Sequence, residues 1–218
     1  MAKALGCLAV VVVVGIIVAL AVIAPYNRLV GLSQAVDAQW AQVENVYQRR
    51  ADLIPNLVAT VQGAANFEKS VLVEVTNARA SVGQVQVSAK DLPNDPAAFA
   101  RFEQAQNQLS GALSRLLVVV ERYPELKANA NFQTLQAQLE GTENRIAVER
   151  MRYNERGQEY NTALMQFPTN VVARIFGFKP KAYFKAQEGA ERAPQVQFNF
   201  GSPAPASPSA PAAPATPR

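Results

Sequence analysis

The chain has no histidine and only one cysteine in 218 residues. A single chain of this composition builds no thiol–imidazole pair, no disulfide, and no zinc or haem site resting on His or Cys ligands. The lone Cys7 lies inside an apolar run and reads as a small apolar side chain facing lipid. Its place ahead of most of that run, rather than after it, argues against a lipoprotein signal. A phosphate-binding glycine loop, a nucleophile elbow and a base–nucleophile pair are also missing. The net charge is +4, but Lys and Arg are interleaved with Asp and Glu instead of massed in a block, so no nucleic-acid partner is expected. The cofactor and metal expectation is none.

Charge is absent altogether from Ala4 to Ala24, ALGCLAVVVVVGIIVALAVIA. A run of about 20 apolar residues crosses a hydrocarbon core roughly 30 Å thick as a helix. The rival reading is a cleaved signal peptide, with Ala19-Leu20-Ala21 as the small-residue site. Such signals have apolar regions of only about 7–15 residues, so an uncleaved single-pass anchor in the cell membrane is expected. Lys3 and the amino terminus on one side nearly balance Arg28 on the other, so the charges leave both orientations open, with a slight lean to the following domain lying outside the cytoplasm.

Past Pro25, helical periodicity dominates. Leu29, Val36, Trp40, Val43, Tyr47, Ile54, Leu57 and Val61 share one face of a first long helix, predicted to kink near Ala51–Pro55, with Asp52 capping a fresh helix as the alternative. Trp40 on that seam reads as core packing. A second helix is predicted from about Phe67 to Val87. Asp95 is placed to cap a third, with Pro96 at its first position, running to about Tyr123. The fourth, from about Asn131 to Phe167, carries a seam of Phe132, Leu135, Leu139, Thr142, Ile146, Tyr153, Tyr160, Leu164 and Phe167. At about 1.5 Å per residue it is about 55 Å long. Val171 to Phe176 makes a short helix closed by Gly177. From Gly201 to Arg218 the Pro/Ala/Ser composition buries no core and acts as a spacer.

The expected architecture is therefore all-α: a transmembrane anchor at 1–24, an elongated antiparallel four-helix bundle at 25–188, and a Pro/Ala-rich disordered tail at 189–218. Tyr26-Asn27, Leu29-Val30, Val36-Asp37 with Trp40, RRADLIPNLV (Arg49–Val58), PELKANANF (Pro124–Phe132), LEGTENRIAVERMRYNE (Leu139–Glu155), FPTN (Phe167–Asn170) and IFGFKPKAYF (Ile175–Phe184) follow one another along the chain. In these blocks and their order the chain resembles the LemA family. The resemblance implies a membrane-anchored helical bundle of bacteria, and implies no reaction and no catalytic residues.

Two features of the bundle invite chemistry. Glu140, Glu143, Glu149, Glu155 and Glu159 share one helix, yet di-metal bundle sites also need Glu-x-x-His, so a solvated charged face is the reading. Glu149 and Arg50 fill gaps in their respective seams and are expected to form a buried ion pair. At the end of the bundle, Arg174, Lys179, Lys181 and Lys185 alternate with Phe176, Phe178, Tyr183 and Phe184. Summed helix lengths return this segment to the lipid surface, where it forms either a membrane-contacting patch or a cap on the open end of the bundle. The expected partners are the lipid bilayer and other proteins. The expected role is that of a non-catalytic interaction or scaffold protein, the alternative being an accessory subunit of a membrane enzyme or a carboxylate-only enzyme using the fourth helix.

Overall fold

In the computed structural model, residues 2–64, 67–88 and 92–185 are described, and every regular element among them is a helix. The first, α1 (Ala2–Gln62), joins the apolar run and the first bundle helix in a single element of 61 residues, continuous through Pro25 and Pro55. An interior proline removes one backbone hydrogen bond and costs about 3 kcal/mol. At Pro55 the flanking Ile54 and Leu57, 1% and 2% exposed, bury apolar surface that offsets this cost. No new helix begins at Asp52, whose carboxylate instead accepts from Gln48 one turn earlier at 2.8 Å. In the apolar run Val12, Val13, Val14, Ile16, Ile17, Leu20 and Ile23 are each more than half exposed, so none of the described residues covers them.

The remaining elements are α2 (Lys69–Ser88), a 3-10 turn (Leu92–Asn94), α3 (Pro96–Val120), α4 (Pro124–Lys127), α5 (Ala130–Met165) and α6 (Thr169–Phe176). Their boundaries follow local chemistry. The Asp95 carboxylate accepts from the amides of Ala97 and Ala98 at 2.9 and 3.0 Å, and Pro96 occupies the position where a missing N–H costs nothing. Asn129 caps α5 in the same way, accepting from Asn131 and Phe132. Gly177, at φ 74°, ends α6 in a left-handed conformation that favours glycine.

Side-chain pairings set the directions. Gln39 meets Glu149 while Arg50 meets Glu143, so α1 and α5 run antiparallel. Glu68 meets Arg122 and Glu74 meets Arg115, so α2 and α3 do too. Two apolar clusters result. In the one far from the apolar run, Ile54, Leu57 and Val61 of α1 pack with Val71 and Val75 of α2, Leu109 and Leu116 of α3, and Phe132 and Leu139 of α5. In the nearer cluster, Leu29, Val36, Trp40, Val43 and Tyr47 pack with Phe99 and Phe102 of α3 and Ile146, Tyr153 and Tyr160 of α5. Here α2 contributes no fully buried residue among those described. Leu92 of the turn, Ala173 of α6 and Phe184 of the extended segment after it fill that side.

One expectation needs correcting at the element ends, and one falls outside the described residues. Phe167 does not continue the α5 seam: the helix stops at Met165, and Phe167 is 83% exposed in the turn that follows. The helical phase that would have buried it ends two residues earlier. The proposed tail at 189–218 lies outside the described residues.

Candidate functional site

Arg50 is the largest side chain that the fold buries almost completely, at 1% exposure. It lies between the two apolar clusters. Its guanidinium donates to Ser110 Oγ at 2.9 Å, to Glu143 Oε1 at 2.6 Å and to Gln106 Oε1, and stands 5.2 Å from the Tyr47 ring centroid. The expected partner, Glu149, is elsewhere. It accepts from Gln39 at 2.6 Å and from Arg152 at 2.8 Å. The reason is register: between antiparallel helices, advancing from Gln39 to Arg50 on α1 means moving back along α5, from Glu149 to Glu143. The seam gap at Arg50 was legible, but which glutamate faced it depended on a stagger that one helix's periodicity does not encode. Gln106, 4% exposed, is the polar partner on α3 that periodicity did not single out.

The second constellation fastens residues 178–185, an extended strap, onto α5. Asn161 donates to the carbonyl of Lys181 and accepts from its amide, both at 2.9 Å. One heptad earlier, Asn154 does the same to Phe184, again at 2.9 Å. The adjacent Tyr153 and Tyr160 hydroxyls donate to the carbonyls of Ala182 and Lys179 at 3.0 and 3.1 Å. Gly157 lies midway, where an added Cβ would come within 3.2 Å of the Tyr183 ring, so its lack of a side chain permits the close approach. On its other edge the strap donates from the Ala182 amide to the Pro93 carbonyl at 3.0 Å. Sequence reasoning missed this clamp. Its signal is the repeated Tyr-Asn pair, 153–154 and 160–161, at the spacing that returns to one helix face.

Burial raises the pKa of both clamp phenols, and the Asp37 carboxylate adds to the effect. They therefore stay protonated and donate. Burial likewise raises Tyr47, against the opposing pull of Arg150 and Arg50.

The clamp revises the expected membrane patch. Lys181 is 4% exposed and its ammonium reaches Asp37 at 2.8 Å, while Phe184, 6% exposed, lies between Trp40, Phe99 and Tyr153 at centroid distances of 4.7–6.0 Å. Arg150 stands 4.5 Å from the Phe184 centroid and is bridged to Glu103 of α3 at 2.8 Å. Two of the eight patch residues are thus internal, because the clamp turns positions 181 and 184 inward and 183 outward. Arg174, Phe176, Lys179, Tyr183 and Lys185 are exposed and Phe178 is half-buried. Phe176 and Phe178 pack on Tyr26, two residues past the apolar run, with centroids 4.8 and 5.8 Å away.

Four of the five glutamates of α5 are engaged individually: Glu140 with Gln136, Glu143 with Arg50, Glu149 with Arg152 and Glu159 with Arg156. Among the described residues no three Asp, Glu or Cys side chains gather as metal ligands would. These contacts fasten elements together and leave helix faces exposed.

The chain is 28% identical over 181 residues to magnetosome protein MamQ 2 of Paramagnetospirillum magneticum, covering 76% of this chain and 66% of that relative. It is 27% identical over 174 residues to magnetosome protein MamQ of Magnetospirillum gryphiswaldense, covering 73% and 64% respectively. It thus spans slightly less than two thirds of these relatives' length. The LemA family model matches residues 39–198, a span that takes in Arg50 with its partners, the Tyr-Asn clamp, α6 and the strap, and the chain belongs to the LemA family.

Proposed function

We propose that the chain is a single-pass, membrane-anchored interaction or scaffold protein of the bacterial cell envelope, with no catalysis of its own. The observation that carries this reading is the continuity of α1, whose uncovered apolar half runs without a break into the helix that pairs with α5. An apolar stretch exposed on all sides is stable in lipid and not in water. The relatives are named for a structure, the magnetosome, rather than for a reaction, which supports the same reading.

Two measurements test it. Intact-mass analysis of the protein from purified membranes is expected to return the full-length chain, and a mature form starting near Val22 or Pro25 in the soluble fraction would overturn the anchor. Photo-crosslinkers placed in native membranes at exposed sites of the bundle, such as Val73, Val118 and Met151, are expected to give discrete adducts with another protein. Silence at every site, together with a turnover lost on replacing the glutamates of α5 by Gln, would favour an enzyme instead.

A further inference from the structure

The corner where α5 turns into α6 exposes an unusual amount of apolar surface for its length. Phe167 is 83% exposed, Met165 74%, Ile175 69%, Phe176 52% and Val171 48%. Val171 and Ile175 lie one turn apart on the face of α6 opposite to the buried Val172 and Ala173. Beside them opens a groove of about 550 Å³, lined by Leu164, Met165, Ala173, Phe178 and Tyr183, with Arg174 among its polar residues. Contiguous exposed apolar surface of this kind marks a contact with a partner or a membrane.

Two independent observations identify the partner. The first is position. Phe176 packs on Tyr26, and Arg28 shares a groove with Ala163 and Gln166, so α5 ends level with the point where α1 leaves its apolar run. The turn at Phe167 follows directly. The second is charge. All 17 acidic residues lie outside 1–36 and 160–187, so both chain segments that meet at this end carry basic residues and no acid. A protein partner does not require such a depletion, whereas an anionic lipid surface repels every carboxylate brought to it and attracts Arg and Lys.

We propose that the α5–α6 corner rests in the interfacial layer of the bilayer that α1 crosses, with Met165, Phe167, Val171 and Ile175 at the boundary of the acyl chains and Arg174 and Lys179 against anionic headgroups. This inference rests on the reading of α1 as an anchor and adds a second contact with the same membrane. It differs from a patch centred on Lys181 and Phe184, which the clamp holds inside. Aromatic and aliphatic side chains settle at this depth while Arg and Lys extend toward the phosphates.

The test uses the full-length protein in vesicles, with Cys7→Ser as background and an environment-sensitive fluorophore on Phe167→Cys, Ile175→Cys or, as control, Val118→Cys on α3, 69% exposed at the far end. With phosphatidylcholine–phosphatidylglycerol vesicles, the 167 and 175 labels are expected to emit to the blue of the control and to lose most of their emission to lipid-borne quenchers. Replacing Arg174 and Lys179 by Gln is expected to weaken the preference for the anionic lipid by about fivefold per residue, the equivalent of about 1 kcal/mol each. Flotation of the same samples reads the anchor separately. Protein that floats while all three labels stay water-exposed overturns the corner contact and leaves the anchor intact. Protein that fails to float overturns the anchor. Labels at 167 and 175 that are shielded from aqueous iodide yet escape the lipid-borne quenchers mean that a second copy or another protein covers the corner, which also overturns the proposal.

Discussion

Single residues set the stakes of the buried polar layer. Arg50 is desolvated while Glu143 keeps 39% of its side chain exposed, so solvent weakens their Coulombic attraction and the main cost of a mutation lies in the groups left unpaired. Arg50→Ala is expected to lower stability by about 3–5 kcal/mol, because Gln106 and Ser110 lose their partner along with Glu143. Glu143→Gln keeps an acceptor for Arg50 but leaves its buried charge without a counter-ion, and is expected to cost about 1–3 kcal/mol. In thermal melts of the detergent-solubilised protein, a double-mutant cycle should couple Arg50 to Glu143 and show additivity between Arg50 and Glu149. Strong coupling to Glu149 instead would mean that the helix register is wrong. The clamp phenols give a pH signature. Their folded pKa values lie above the ordinary value of about 10, so their contribution is fully present below pH 10. Above it the unfolded chain releases its protons first, and stability falls until pH passes the folded values, with a slope of about 1.4 kcal/mol per pH unit from Tyr153. Tyr153→Phe should flatten the alkaline limb of the melting profile, and an unchanged slope there would count against a buried phenol.

At the scale of elements, the strap is the part with no regular structure of its own, and it depends on α5 for its backbone partners. Removing the two hydrogen bonds of Asn161 or of Asn154 with Ala is expected to cost about 1–3 kcal/mol each. Amide exchange at Lys181 or Phe184 should then accelerate well ahead of exchange in α1. Equal acceleration everywhere would mean that the strap has no separate opening. The helices themselves were legible: the seam residues from Leu29 to Val61 and the Asp95-Pro96 cap emerge where periodicity and capping chemistry place them. Three things were not. The end of α5 at Met165 was hidden because Phe167 keeps the helical phase by coincidence. Glu143 was hidden because stagger between helices is a tertiary property. The inward turn of Lys181 was hidden because a lysine among aromatics reads as surface until an Asp37 from a distant helix is brought to it.

For the whole molecule, the decisive feature is that the apolar run, proposed as the anchor, and the first bundle helix are one element. Lengthening α1 between Ala24 and Pro25 should raise the bundle by about 1.5 Å per inserted residue. Seven alanines, about two turns and about 10 Å, are expected to abolish lipid quenching of a label at Phe167 while leaving flotation unchanged. Quenching that survives this insertion would argue against a fixed height. The same continuity makes α1 a lever without a hinge. Membrane spans tilt by about 20° on average, and they tilt further as the bilayer thins. Beyond Pro25 the lever is about 55 Å long, so such a tilt carries its far end sideways by about 19 Å. An apolar corner bearing on the bilayer to one side of the fulcrum then acts as an outrigger that limits the tilt. In that arrangement bilayer thickness becomes a mechanical input, delivered as lateral displacement to whatever the distal helices hold.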